Sequence, residues 1–221
     1  MLRTETLEEL SDGKLYTAND MVRADCQGCI SCSECCHGME DTVVLDPLDL
    51  HRISVHLQME PEAVLSSKLE LGFCDGLLLP HLAMKGPSDA CLFLNEEGRC
   101  SIHPARPGFC RMFPLGRYYQ GDDFYYILQV HECPKQNRTK IKVKKWLDTP
   151  NLAQYEEYVR DWHNFLRDVR ILLSESEQDD LFENMNRYIL GRFYRQSYDP
   201  NEDFYGQFRS RLSEGRELLT L

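Results

Sequence analysis

Between residues 26 and 36, five cysteines occupy eleven positions: Cys26, Cys29, Cys32, Cys35 and Cys36, set among Gly, Ser and Gln. Two cysteines separated by two residues can place both sulfurs on one ion, because the turn between them lets the side chains converge. Here three such steps run in series, and Cys36 directly follows the last. Adjacent cysteines do not easily chelate the same mononuclear ion. Cys35 and Cys36 therefore point to a polynuclear centre or to two sites. A buried, hydrophobe-like role fits an isolated residue such as Cys74 in Gly72-Phe73-Cys74-Asp75-Gly76, but not a run this dense.

The compartment decides what ten cysteines can be for. The opening MLRTETLEELSDGKLYTAND lacks a basic stretch followed by an apolar one, and no apolar run elsewhere is long enough to cross a bilayer. We therefore expect a cytoplasmic protein with no membrane partner. In a reducing compartment disulfides are a poor explanation, and a chain of 221 residues with 42% hydrophobic content can bury a core without them. Thiolate ligation is the leading explanation. The charge balance, 25 Lys and Arg against 36 Asp and Glu, leaves no basic excess to neutralise phosphates, so nucleic acid is not an expected partner.

Along the chain, residues 1–25 read as a short helix or an arm lying on the body. Residues 26–134 form the cysteine-bearing domain. Thr42 to Leu45 is a short strand; Asp46-Pro47 supplies an N-cap and a first-turn proline for a helix from Pro47 to about Leu57. Pro61 opens a second helix, from Glu62 to about Leu69, and Leu77 to Met84 reads as an apolar strand. Cys91 to Leu94 and Cys100 to Ile102 flank Asn95-Glu96-Glu97-Gly98, which predicts a hairpin. Such a hairpin would bring Cys91 and Cys100 together at its open end. Arg117 to Tyr119 and Phe124 to Leu128, joined through Gln120 to Asp123, predict another. Beyond Cys133-Pro134 there is no further cysteine, and a basic stretch from Lys135 to Lys145 leads into helical spacing. Residues 135–221 are expected to be a helical lobe, with Tyr155, Tyr158, Trp162, Phe165, Val169 and Leu172 on one apolar face and Leu181, Met185, Tyr188 and Ile189 on another. The expected fold is α+β: a metal-stapled core of short antiparallel hairpins and small helices, followed by an α-helical C-terminal lobe of three helices.

Several separated motifs occur in a recognisable order: Cys29-x-x-Cys32-x-x-Cys35-Cys36; Leu45-Asp46-Pro47-Leu48-Asp49-Leu50-His51-Arg52-Ile53; Cys91-Leu92-Phe93-Leu94; Gly98-Arg99-Cys100-Ser101-Ile102-His103; Arg106-Pro107-Gly108-Phe109-Cys110-Arg111-Met112-Phe113-Pro114; and Cys133-Pro134. Together they resemble the YkgJ-type cysteine-cluster family, the CxxCxxCC zinc- or iron-chelating domain. The resemblance covers about half of the chain. It implies a metal-chelating domain whose eight recurrent cysteines fall on Cys29, Cys32, Cys35, Cys36, Cys91, Cys100, Cys110 and Cys133. Two departures stand out: Ser33 replaces a glycine common after the second family cysteine, and Cys26 extends the series upstream.

All-thiolate ligation suits zinc and iron-sulfur chemistry alike. Eight thiolates could close two four-sulfur zinc sites, or hold one four-iron (4Fe-4S) cluster with four left over. The adjacent Cys35-Cys36 pair and the loose Gly/Ser-rich loop tilt the reading toward iron-sulfur. His37 is the histidine best placed to ligate or to hydrogen-bond a sulfur, ahead of His131 near Cys133. Arg106 and Arg111 bracket Cys110 and could offset thiolate charge.

The expected function is metal binding in a structural or redox role, acting through a protein partner. An enzyme that modifies a protein or peptide side chain is a second reading, because flagellin lysine N-methylases carry a related cysteine cluster. Against it, the sequence has no Gly-x-Gly-x-x-Gly loop, no Gly-x-Ser-x-Gly elbow and no His-Glu-x-x-His pair, and singles out no catalytic residue. A metal carrier or sensor, exchanging metal at the Cys26 to Cys36 loop, is a third.

Overall fold

The computed structural model describes residues 6–26, 32–135, 137–176 and 179–219. It begins with a one-turn helix, α1 (Leu7–Leu10), whose start is fixed by reciprocal bonds between Thr6 and Glu9. The chain then runs as an arm along the body. Tyr16 exchanges both backbone hydrogen bonds with Tyr126, and β1 (Met21–Asp25) pairs antiparallel with a strand near residue 140.

A 3-10 turn at Glu34–Cys36 leads to α2 (Pro47–Leu57). Asp46 and Asp49 form a capping box at its start, Pro47 takes the first helical position, and Gln58 at φ 54° turns the chain out at the other end. Next come α3 (Pro61–Lys68), opened by Pro61, and β2 (Leu69–Cys74). Asp75 and Gly76, both at positive φ, make the two-residue turn into β3 (Leu77–Leu82). That conformation suits the right-handed twist of the flanking strands and favours Asp-Gly. Residues Val43 to Leu45 join the outer side of β3 through Leu45 N–H to Pro80 O (2.8 Å) and Leu82 N–H to Val43 O (3.1 Å). The expected strand from Leu77 to Met84 is interrupted at Ala83, after which β4 (Met84–Lys85) pairs with β5 (Ala90–Cys91).

The hairpin expected at Cys91 to Ile102 forms only its turn and the first pairs beside it. Asn95 closes the turn, accepting from Gly98 on its carbonyl and from Glu97 and Arg99 on its side chain, and the arms are joined only near it, by the Leu94–Cys100 bridge and the bonds Asn95 N–H to Arg99 O and Ser101 N–H to Phe93 O, without a ladder reaching Cys91. The cause is local: Leu94 N–H bonds back to Cys91 O at 2.9 Å, curling the first arm, while Cys91 pairs with Met84.

A 3-10 turn at His103–Ala105 precedes α4 (Gly108–Met112). The second expected hairpin is present as β6 (Leu115–Gln120) and β7 (Asp123–Leu128), joined at Gly121-Asp122 with Gly121 at positive φ. Strand β8 (Thr139–Lys142) is the partner of β1, and it leads into α5 (Val143–Leu147), whose Trp146 indole donates to the Met112 and Phe113 carbonyls at 3.1 and 3.2 Å.

Three helices complete the chain: α6 (Leu152–Glu175), α7 (Asp179–Ile189), which continues as a π-helical turn at Leu190–Arg195, and α8 (Phe204–Leu218). The expected apolar face of α6 is buried from Tyr155 to Val169, with Leu172 at its half-buried edge. Its rings meet those of the other two helices: Trp162 lies 5.0 Å from Phe193, and Tyr158 lies 4.6 Å from Phe208. Each fully buried aromatic contributes roughly 1.5–3 kcal/mol of apolar transfer. Buried Arg211 caps the π-turn, donating to the carbonyls of Arg192, Gln196 and Ser197 while its guanidinium lies 3.6 Å over the Tyr198 ring.

These helices also hold the cysteine-bearing half. Tyr158 Oη accepts from Leu48 N–H (3.0 Å), Tyr194 Oη donates to Leu45 O (2.8 Å), and Asn186 Oδ1 accepts from Leu78 N–H (2.6 Å). A single hydrophobic cluster runs from Tyr16 to Leu212 through both halves. The fold is the mixed one expected: short antiparallel strand pairs with small helices, then a helical C-terminal region.

Candidate metal centre

Short elements carry the cysteines. Cys35 and Cys36 sit on the Glu34–Cys36 turn, which is closed by Cys36 N–H to Ser33 O at 2.8 Å. Just after it, His37 bridges to Ala90 and Gly38 N–H reaches Asp89 O at 3.0 Å, seating the turn beside the strand that ends in Cys91. The Leu94–Cys100 bridge and the Ser101 N–H to Phe93 O bond (2.8 Å) fold Cys100 back toward the same segment. Cys110 rides on α4.

The result is that Cys35, Cys36, Cys91, Cys100 and Cys110, from four separated stretches of chain, feel one another's charge. Cys36 donates its S–H to the Cys35 sulfur, which lowers the Cys35 pKa to about 7 and pushes Cys36 well up. Burial raises Cys91, Cys100 and Cys110, and neighbouring thiolates raise each of them further. Arg106 opposes this at Cys35 and Cys100, favouring their thiolates. Four thiols whose ionisation their neighbours oppose, beside a Cys35 that ionises readily, form a donor set suited to a cation, which replaces the protons and cancels the repulsion.

The other expected ligands stand as follows. Cys29 lies outside the described residues. Cys32 is half-buried and, three residues from Cys35, lies within about 11 Å of it. Cys26, half-buried, follows directly on β1, and Cys133, also half-buried, lies six residues before β8 in the sequence. The His37 ring is engaged with Ser33 O through Nδ1 at 2.9 Å. Cys74 packs against the core at the end of β2, as a small hydrophobe would. All nine described cysteines are free thiols. Among the described residues, no three Cys, His, Asp or Glu side chains already converge on one point as a finished metal site.

Around the sulfurs lies a polar framework that cysteine spacing does not reveal. Buried Asp49 on α2 accepts from Gly108 N–H at 2.8 Å, and burial, then the nearby Asp46, raises its pKa to about 8. Arg117 lies against the rings of Phe109, Phe124 and Tyr155 and donates to Tyr155 Oη at 2.7 Å. Arg106 donates to His103 Nε2 (2.6 Å), while Arg111 reaches the carbonyls of Pro104 (2.9 Å) and Asp148 (3.4 Å). The sequence signals for this framework are Arg106 and Arg111 on either side of Cys110 and Asp46 as an N-cap; the sequence does not single out Asp49, Arg117 or the Tyr155 hydroxyl.

Residues 26–146, just over half of the chain, match the family model of the CxxCxxCC domain, described as a candidate zinc- or iron-chelating domain. The chain belongs to the CxxCxxCC family. The match begins at Cys26 and runs past Cys133 through β8 to Trp146, so it takes in every cysteine of the sequence. No curated protein and no solved structure matches the chain. Membership supports chelation of zinc or iron, and no helix among the described residues is long and apolar enough to cross a membrane.

Proposed function

We propose that this protein holds a polynuclear metal centre on Cys29, Cys32, Cys35, Cys36, Cys91, Cys100, Cys110 and Cys133, an iron-sulfur cluster in preference to zinc, in a structural or redox role exerted through a protein partner in the cytoplasm. The observation that carries the reading is the gathering of five thiols from four chain segments, one more than a closed tetrahedral site takes. The adjacent Cys35 and Cys36 both belong to that gathering, which suits a centre with more than one metal atom. When bound, an iron-sulfur cluster would supply one-electron transfer, with a potential set by its charge, its hydrogen bonds and its exposure. The chain's own residues would provide the thiolates, the Arg106 charge beside Cys35 and Cys100, and the fold that holds the four segments together. Cys26 and His37 extend the donor set at its edge.

The test is stoichiometric. Cys35→Ser and Cys100→Ser should each reduce the metal bound per chain in protein purified without oxygen. Unchanged metal content in both variants would remove the assignment. A carrier or sensor is the second reading, favoured by the partial exposure of Cys32, Cys35 and Cys36. Reversible metal loss without unfolding would support it, whereas loss that melts residues 32–114 would support a fixed centre.

A further inference from the structure

Cys110 is carried by a helix of only five residues, Gly108–Met112, too short to hold its own position. Its first N–H is bound from outside: Asp49, 1% exposed, reaches across from α2 to Gly108 at 2.8 Å. The same carboxyl group accepts from Asp46 N–H through its other oxygen (3.3 Å), so its orientation is fixed by the start of α2. Where a side chain would leave Gly108 stands the hydroxyl of Tyr155 from α6. A Cβ at position 108 would collide with it, while Arg117 Nη2 and Asp49 Oδ1 would lie at ordinary distances of 3.6 and 3.7 Å. Tyr155 is itself pinned, buried at 4% exposure and bonded to Arg117. Gly108 is therefore held between a hydrogen-bond acceptor and a wall, two residues before a sulfur of the cluster.

We propose that Asp49 and Gly108 are positioning residues for the Cys110 thiolate: the Asp49 carboxyl group fixes the Gly108 N–H, and the missing side chain at Gly108 lets α4 seat against the Tyr155 hydroxyl. This rests on the reading of Cys110 as a metal ligand. It also gives the C-terminal lobe a task at the centre, because the wall belongs to α6. Groups that orient metal ligands in this way change metal affinity by about 10- to 100-fold when removed.

The probe is cobalt(II), titrated into the reduced, metal-free full chain, with the thiolate-to-cobalt charge-transfer absorption as readout. That absorption reports the number and arrangement of bound sulfurs, which a change in global stability alone does not alter. Cys110→Ser should remove part of the absorption. Asp49→Ala and Gly108→Ala should weaken cobalt binding by about tenfold or more and change the charge-transfer spectrum. Gly108→Ala combined with Tyr155→Phe, which takes away the colliding oxygen, should recover most of the affinity and the original spectrum. Should Asp49→Ala not fold, Gly108→Ala and its rescue decide the matter. If Cys110→Ser loses absorption while the Asp49 and Gly108 variants bind with wild-type affinity and spectrum, the positioning role is refuted and the ligand reading stands. If the wild-type chain gives no thiolate charge-transfer absorption at all, the ligand reading fails, and this inference with it.

Discussion

The two halves of this molecule are held together by different physics. The C-terminal helices bury Tyr158, Trp162, Phe165, Phe193 and Phe208 against one another, with rings packed edge to face or tilted, as the aromatic part of the one hydrophobic cluster that runs through both halves. The cysteine-bearing half has two- to six-residue strands, one- to three-turn helices and a group of thiols that disfavour one another's ionisation. One half is held chiefly by apolar packing. The other is arranged around charge that a metal would neutralise. Bonds from Tyr158, Tyr194 and Asn186 let the first brace the second.

That contrast predicts unequal responses. The largest effect should come from removing metal. A chelator added to loaded, reduced protein should raise amide exchange through residues 32–114 while Leu152–Glu175 keeps its protection. Simultaneous opening of both regions would break the comparison. Phe165→Ala empties a site with 0% exposure and should cost about 3–5 kcal/mol in chemical denaturation, with metal per chain unchanged. A fall in bound metal in that folded variant would show that the halves are less separable than this. Asp46→Ala removes the cap of α2 and should cost about 1 kcal/mol.

A further effect, absent at neutral pH, is a pH dependence in the helical half. Burial, then the charge of Arg170, depresses the His163 pKa from 6.5 to about 4, with its ring stacked on Tyr119 at 3.5 Å. A depressed pKa means that the unfolded chain takes up the proton first. The stability contributed by neutral His163 is therefore complete above pH 6.5 and is lost as pH falls toward about 4. Denaturation midpoints should fall through that window, and His163→Phe should flatten the fall. An unchanged slope in the variant would assign the effect elsewhere.

How legible these halves are in the sequence follows from how local their causes are. The helix at Pro47–Leu57 is written in Asp46-Pro47 and the strand pair at 115–128 in its Gln120-Gly121-Asp122-Asp123 turn, because caps and turns act within a few residues. The face of α6 is a 3.6-residue stripe. The arms around Cys91 and Cys100 misread as strands because a bond from Leu94 to Cys91 curls the chain, which composition does not record. Cysteine spacing brings out the run, and five cysteines from four stretches lie near enough to shift one another's ionisation, although among the described residues no three converge on one point. The framework of Asp49, Gly108, Arg117 and Tyr155 is hidden because its members lie 38 to 59 residues from their partners, and Tyr155 comes from the helical half.

The most direct test of the thiolate centre is iron, zinc and acid-labile sulfide analysis, with a visible spectrum, on wild-type protein purified without oxygen. The account predicts iron with labile sulfide and broad visible absorption that fades on exposure to air. Zinc alone, in colourless protein, would keep the thiolate centre and overturn the iron-sulfur assignment. Protein that is folded, reduced and free of both metals would contradict the central claim.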